Sequence, residues 1–165
     1  MMMAYRIAGA LLTLFLLCCV PVSAQKAKAV QWLTFEQLED SLSNQHAGQS
    51  KRVFIDFYTD WCTYCRKMDK VVFTKQEVIE LLNDDYYAVR FDAESDAAIA
   101  FGGQTLINDQ VGKSRSPIHQ IAQLLALRNG QFAPPAMVVL DAEFHVLARH
   151  FAYMDSKRLV KALSY

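Results

Sequence analysis

The sequence predicts an α/β domain in which helices flank a central mixed sheet, and three observations carry that expectation. Short apolar runs bounded by turn residues alternate with segments of helical period, the pattern of parallel strands joined by right-handed crossovers. Near the C-terminus, Met137 to Leu140 and Phe144 to Ala148 flank a short turn at Asp141-Ala142-Glu143 and read as an antiparallel hairpin, which makes the sheet mixed. Between these two patterns, Trp61-Cys62-Thr63-Tyr64-Cys65 stands directly behind the apolar run Val53 to Tyr58 and ahead of a helical segment.

Each element has a local reason. Gln25 to Ala29 reads as a short basic tether and Val30-Gln31-Trp32 as an edge strand. Thr34-x-x-Gln37 is a capping box, and Phe35, Leu38 and Leu42 recur at helical spacing, so a first helix spans 35–44. The polar stretch Asn44 to Arg52 is a loop. Val53 to Tyr58 is apolar on both faces apart from Asp56, as a central strand covered by helices on either side should be. The helix carrying the cysteines runs to about Val72. Thr74-x-x-Glu77 caps another, with Val78, Leu81 and Leu82 inward, and Tyr86 to Phe91 is the next strand.

Ser116-Pro117 marks a helix start with proline at the first helical position, Ile118, Ile121, Ala122, Leu124 and Leu125 supply its apolar face, and Asn129-Gly130 ends it. Asp155 caps a last helix with Leu159, Val160 and Leu163 inward. The least legible stretch is Glu94 to Arg115, whose Gly102-Gly103 and Asn108-Asp109 suggest turns and a small hairpin between strand and helix.

The 165-residue chain opens with Arg6 as its only early charge, an apolar run from Ile7 to Val20 and then Val22-Ser23-Ala24. This is the pattern of a secretory signal peptide over residues 1–24, leaving one domain over 25–165. The apolar run falls short of the roughly 20 residues that span a bilayer. Lipid attachment at Cys18 or Cys19 is not expected, because neither Leu17 nor Cys18 is the small residue that such a signal wants. The domain beyond residue 24 carries 16 basic and 17 acidic residues, a formal net charge of −1, which argues against nucleic acid as a partner.

Beyond residue 24 there are two cysteines, Cys62 and Cys65, three apart. A strand that delivers them to the first turn of a helix puts the first sulfur among unpaired N–H groups at the positive end of the helix dipole. That lowers a free-cysteine pKa of about 8.5 towards the roughly 3.5–7.5 seen in Cys-x-x-Cys pairs, and the thiolate is the nucleophile. Three readings compete: a zinc half-site, a static structural disulfide and a catalytic dithiol. Zinc wants about four ligands, and His46, His119, His145 and His150 offer no finger-like spacing beyond the strand-like His145/His150 pair. In an oxidising compartment an idle pair would be oxidised, so a redox partner has to set its state.

The stretch Phe57-Tyr58-Thr59-Asp60-Trp61-Cys62-Thr63-Tyr64-Cys65-Arg66-Lys67-Met68, with Phe91-Asp92-Ala93-Glu94 and Pro135 to Asp141 after it in the same order, resembles the thioredoxin superfamily. The likeness is strongest to small exported bacterial thioredoxin-like proteins, and it covers nearly all of residues 25–165. It implies a thioredoxin-like fold and a redox-active disulfide between Cys62 and Cys65. Asp56, six residues before Cys62, matches a buried acid that exchanges a proton with the second cysteine. From position alone it could equally be a strand aspartate satisfied by backbone groups. Pro135 matches a cis-proline shaping the substrate groove. Pro134 departs from the usual threonine, valine or isoleucine and removes an N–H that would pair with substrate, worth roughly 0.5–1.5 kcal/mol.

Trp61 is either core or an apolar lip beside the nucleophile, and the lip is the favoured reading. Thr63 and Tyr64 replace the Gly-Pro of thioredoxin itself and tune the potential. The expected function is thiol-disulfide oxidoreductase chemistry outside the cytoplasm, most simply in a bacterial periplasm, reducing protein disulfides with electrons from a membrane-bound redox partner. No cofactor or metal is needed. The alternatives are a disulfide oxidase or isomerase, a binding module with a vestigial dithiol, and a copper(I) chaperone using Cys62, Cys65 and Met68 as soft ligands. Against the last, Met68 reads more simply as core.

Overall fold

The computed structural model describes residues 29–44 and 51–164. The expected signal peptide over 1–24, and all but the last residue of the basic tether, lie outside the described residues, as do Cys18, Cys19 and His46. Among the described residues no helix is long and apolar enough to cross a membrane.

Four strands form the central sheet: β1 (Arg52–Tyr58), β2 (Tyr86–Asp92), β7 (Ala136–Leu140) and β8 (Val146–His150). Their order is β2-β1-β7-β8, with β1 parallel to β2 and antiparallel to β7, and β7 antiparallel to β8. The expected mixed α/β sheet is therefore present. Because side chains alternate along a strand, β1 divides the core in two. Val53, Ile55 and Phe57 face α1 (Phe35–Ser43) and α4 (Gln120–Leu125) in one cluster. Phe54 faces the other way, into a cluster supplied by α2 (Thr63–Val71), α3 (Gln76–Asp85) and α5 (Ser156–Leu163). Asp56 has the parity of Phe54, so it belongs to the face that α2 covers.

Several local expectations hold. Thr34 accepts from the Gln37 N–H while the Gln37 side chain accepts from the Thr34 N–H, a complete capping box, and Asp155 accepts from the Arg158 N–H to cap α5. Others are corrected. Val30 to Trp32 does not form a strand; the segment touches the sheet through one parallel bridge, Leu33 to Val89, while Val30 and Trp32 pack into the α2 face. Thr74 does not cap α3: Lys75 is its N-cap, without a side-chain bond, and the Thr74 hydroxyl donates back to the Lys70 carbonyl.

Helix α4 begins at Gln120, with His119 rather than Ser116 as its N-cap. The Pro117 carbonyl is instead taken by the Asn108 side-chain amide, which also donates to the Ser95 carbonyl, so residues 116–118 stay in a loop. Asn129 and Gly130 do not end α4. Both have positive φ, 52° and 78°, and form the two-residue turn of a ribbon between β5 (Leu127–Arg128) and β6 (Gln131–Phe132). The expected small hairpin within 94–115 is present as β3 (Ile99–Phe101) and β4 (Gln104–Leu106).

The segment between β2 and β7 is organised by buried polar groups. The His119 Nδ1 accepts the Ile121 N–H at 3.2 Å, and its Nε2–H donates to the Ala97 carbonyl at 3.0 Å, so the neutral ring uses both nitrogens. Its backbone N–H donates to the Ala93 carbonyl, and the Ala93 N–H to the Tyr58 carbonyl, linking the segment to the end of β1. Burial lowers the His119 pKa below its usual 6.5. A lowered pKa contributes stability that is full above 6.5 and is lost as pH falls and the unfolded chain takes up the proton. Replacing His119 by alanine should therefore cost about 1–3 kcal/mol at pH 8, through the lost cap and the unpaired Ile121 N–H, and clearly less at pH 5. Urea unfolding of both proteins at the two pH values measures the difference; an equal cost at both would contradict the neutral-ring arrangement.

Candidate active site

The end of β1 leads through Thr59, Asp60 and Trp61 into α2, and Cys62 is the N-cap of that helix. An N-cap needs a side-chain acceptor, and here the Cys62 Sγ takes the Cys65 N–H at 3.0 Å. Cys62 and Cys65 form a disulfide, with a Cα–Cα distance of 5.3 Å, and are 4% and 3% exposed. The two sulfurs therefore sit at the positive end of α2, nearly shielded from water. On reduction the same N–H and helix dipole favour the Cys62 thiolate.

Asp56 is 2% exposed and has Arg90 as its partner across the parallel register of β1 and β2. Arg90 is shared between two acids. One of its terminal nitrogens donates to the Asp69 carboxylate on α2 at 2.7 Å, while its Nε stands 3.5 Å from Asp56 Oδ2. That second approach meets an ion-pair distance but is too poorly aimed to be a hydrogen bond, since the Arg90 Nε has no hydrogen-bond acceptor. The guanidinium also lies over the Tyr58 ring, 4.3 Å from its centre. Burial raises the Asp56 pKa from 3.8 to about 7; Arg90 offsets part of this and Asp69 adds to it. Asp56 is thus a buried carboxyl able to change protonation near neutrality, on the α2 face of β1.

The other expected site residues divide into two groups. Trp61 is 57% exposed rather than core, and its indole N–H donates to the Glu94 carboxylate at 3.0 Å. Tyr64 is 59% exposed, its ring 6.0 Å from that of Tyr153, and Thr63 is exposed, accepting a hydrogen bond from Arg66. Arg66 also donates to the Asp60 carbonyl, tying α2 to the loop before it. Pro135 is buried at the start of β7, one residue before the Phe57–Ala136 pair, and the Pro134-Pro135 peptide is cis. Pro134 is half-buried. Met68 is fully buried in the core cluster of α2, α3 and α5.

Arg90 and Asp69 are residues that the sequence does not point to, and Glu94, quoted there only within the Phe91-Asp92-Ala93-Glu94 stretch, gains its place through the bond from Trp61. Arg90 was visible as the one charge inside the strand 86–91, but its meeting with Asp56 depends on a parallel register that no local pattern sets. Asp69 lies four residues after Cys65, one helical turn along the same side of α2, the only sequence signal that ties it to the site.

The Asp56 pKa has a direct consequence for stability. A carboxyl raised from 3.8 to about 7 favours the fold below 3.8 and loses that contribution as pH rises through 7. Asp56→Asn should therefore stabilise the protein at pH 8, by up to ~4 kcal/mol, with the gain vanishing near pH 4. Denaturant unfolding at the two pH values checks this; an aspartate that stabilises at pH 8 would contradict its burial without a full partner.

The thioredoxin-like domain family matches residues 38–165. Among curated proteins, the thiol:disulfide interchange protein DsbD of Actinobacillus pleuropneumoniae is 35% identical over 63 residues, covering 36% of this chain and 11% of that protein. The DsbD of a Pseudomonas species is 33% identical over 81 residues, covering 46% and 14%. The chain thus spans less than a sixth of the length of these relatives. Among solved structures, a DsbH oxidoreductase superposes with a TM-score of 0.55 at 19% identity, covering 95% of this chain and 93% of that one. A thioredoxin from Thermus thermophilus gives 0.54 at 16% identity, covering 82% and 85%. With the family match over most of its length and a disulfide-forming Cys-x-x-Cys pair capping the helix behind the central strand, the chain belongs to the thioredoxin-like domain family.

Proposed function

We propose that this protein reduces disulfides in polypeptides outside the cytoplasm, in a bacterial periplasm, after removal of residues 1–24 as a signal peptide, with 25–165 as the working domain. The observation that carries the reading is the Cys62–Cys65 disulfide at the N-terminus of α2 with Asp56 buried on the face of the sheet that α2 covers. The name thiol:disulfide interchange protein, borne by the curated relatives, supports it.

In the reduced protein, the Cys62 thiolate attacks one sulfur of a substrate disulfide. A Cys62–substrate disulfide forms, and the other substrate sulfur leaves as a thiolate that takes a proton from water. The Cys65 thiol passes its proton to the Asp56 carboxylate and attacks Cys62. The Cys62–Cys65 bond forms as the second substrate sulfur is expelled, and that thiolate is protonated in turn. Two electrons have then moved from the dithiol to the substrate, with one proton that came from Cys65 through Asp56 and one from water, to which Cys62 had already given up its own. A membrane-bound redox partner returns the protein to the dithiol by the same exchange in reverse. Trp61, Thr63 and Tyr64 flank the reacting sulfur, and Pro135 closes the groove on the other side, with Pro134 offering substrate no N–H.

Met68, inside the core, is poorly placed to serve as a third soft ligand for copper, so no observation favours the copper reading. Cys65→Ser should trap Cys62-linked mixed disulfides with polypeptide substrates, resolved by gel under non-reducing conditions, whereas Cys62→Ser should trap none and should lose insulin reduction driven by dithiothreitol. Full activity in Cys62→Ser would point to a vestigial dithiol. In the wild type the resolving step should accelerate as pH rises through about 7, where Asp56 becomes the carboxylate, and Asp56→Asn should slow it of the order of 10²-fold and remove that pH dependence. Stopped-flow fluorescence across pH 5–9 checks both.

A further inference from the structure

The outer face of α2 carries a single sign of charge. Thr63, Arg66, Lys67, Lys70 and Val71 recur at the spacing of one helical stripe and line a shallow groove of about 260 Å³, while Cys65 and Met68 point the other way, into the protein. We propose that this basic stripe is the docking face for the protein redox partner of the dithiol, and that the partner presents an acidic surface to it. The inference rests on the oxidoreductase reading above and adds to it the place and the charge of the partner contact.

A solvated helix face ordinarily mixes signs, and the chain has 17 basic and 17 acidic residues to mix. The stripe does not mix them. Among the described residues no carboxylate lies within ion-pair distance of Arg66, Lys67 or Lys70. Asp69, the one acid within α2, is engaged by Arg90 from the sheet. Arg66 and Lys67 are held by uncharged groups: the Arg66 guanidinium donates to the Asp60 carbonyl and the Thr63 hydroxyl, and the Lys67 ammonium lies 4.6 Å from the centre of the Tyr153 ring. These contacts fix where two of the cations stand and leave their charges uncancelled. Arg66 and Lys70 are four residues apart and Lys67 and Lys70 three, spacings at which like charges weaken a helix. The helix dipole favours a cation only in the last turn, where Lys70 stands.

Position identifies the occupant. The stripe starts at Thr63, the residue after Cys62, and the Tyr153 ring that carries Lys67 also meets the ring of Tyr64, between the two cysteines. A protein that brings a sulfur to Cys62 therefore also covers the first turns of α2, and its surface has to match what it covers. Tyr64 at the near end and Val71, 43% exposed, at the far end add apolar area to the cations, a mixture of aromatic, aliphatic and arginine side chains that suits a protein interface. Uncancelled cations beside the reacting sulfur attract an acidic partner from a distance and raise its rate of encounter, and salt screens that attraction.

The test follows reduction, by the dithiol form of the protein, of three peptide disulfides of equal length whose cysteine is flanked by glutamate, glutamine or lysine. Lys67→Glu and Lys70→Glu reverse charges of the stripe. Lys161→Glu makes the same change in the last turn of α5, which Arg52 holds at the opposite end of β1 from the cysteines. At an ionic strength of about 0.02 M the wild type and Lys161→Glu should reduce the glutamate peptide roughly tenfold faster in kcat/KM than the lysine peptide, and about 0.5 M salt should remove most of that preference. Each stripe variant should lose most of the preference at low salt, with the glutamine peptide and the reduction potential of the cysteine pair little changed. A preference that survives both reversals would overturn the docking face. So would an equal loss on all three peptides, which would mark an effect on the Cys62 thiolate itself. Binding to anionic phosphatidylglycerol vesicles that both reversals abolish, with peptide kinetics unchanged, would assign the stripe to a membrane surface and overturn it likewise. If the wild type reduced none of the peptides, the oxidoreductase reading would fail and the docking face with it; reduction of all three at equal rates would sink the docking face alone.

Discussion

A carboxyl group held away from water on the α2 side of β1 is the constraint around which the rest is arranged. Burial alone would make an aspartate at that position costly, and a full ion pair with Arg90 would relieve the cost while fixing the charge. The protein does neither completely. Arg90 is placed opposite Asp56 by the parallel register, then drawn off by Asp69 on the cysteine helix, so the Asp56 carboxyl is left near the midpoint of its titration at neutral pH. The buried carboxyl therefore costs stability above neutral pH, as titratable groups at functional sites commonly do.

The same strand settles the geometry of the sulfurs. Its odd positions feed the cluster under α1 and α4 and its even positions feed the cluster under α2, α3 and α5, so one strand anchors both faces and aims α2 by its C-terminal end. Cys62 then does in the disulfide what a serine or aspartate does at other helix starts, accepting the first free N–H. A helix N-cap suits a nucleophilic sulfur, because an N–H aimed at it favours the thiolate over the thiol. On the far side, the segment between β2 and β7 packs Ile99, Leu106, Ile121, Ala122 and Ala126 into the cluster under α1 and α4, and His119 and Asn108 hold its loops in place.

What could be read from the sequence was what local chemistry decides. The capping box at Thr34, the cap at Asp155, the β1 run and the Cys-x-x-Cys helix rest on contacts within a few residues and stand where expected, and the C-terminal hairpin is present with its second strand two residues later than expected, at Val146–His150. The failures share a cause: signals with two local meanings, resolved by distant partners. Asn129-Gly130 suits a helix end and a hairpin turn equally, because both need left-handed backbone, and pairing of Leu127 with Phe132 decides for the turn. Ser116-Pro117 is a good helix start until Asn108 takes the Pro117 carbonyl from outside. For the site, Asp56 and the cysteines stood out in sequence as an acid in an apolar strand and a spaced pair. Arg90 and Asp69 did not, since each matters only through a partner brought close by the fold.

The central claim is that Cys62 and Cys65 form a reducing redox couple, and its equilibrium potential tests that most directly. Purified protein covering residues 25–165 would be titrated against dithiothreitol or glutathione buffers and followed by the fluorescence of Trp61 beside the pair. A reversible two-electron transition near the thioredoxin value of about −270 mV is the predicted result. A potential near about −120 mV would make the protein a disulfide donor, and the absence of any reversible transition would contradict the dithiol account altogether.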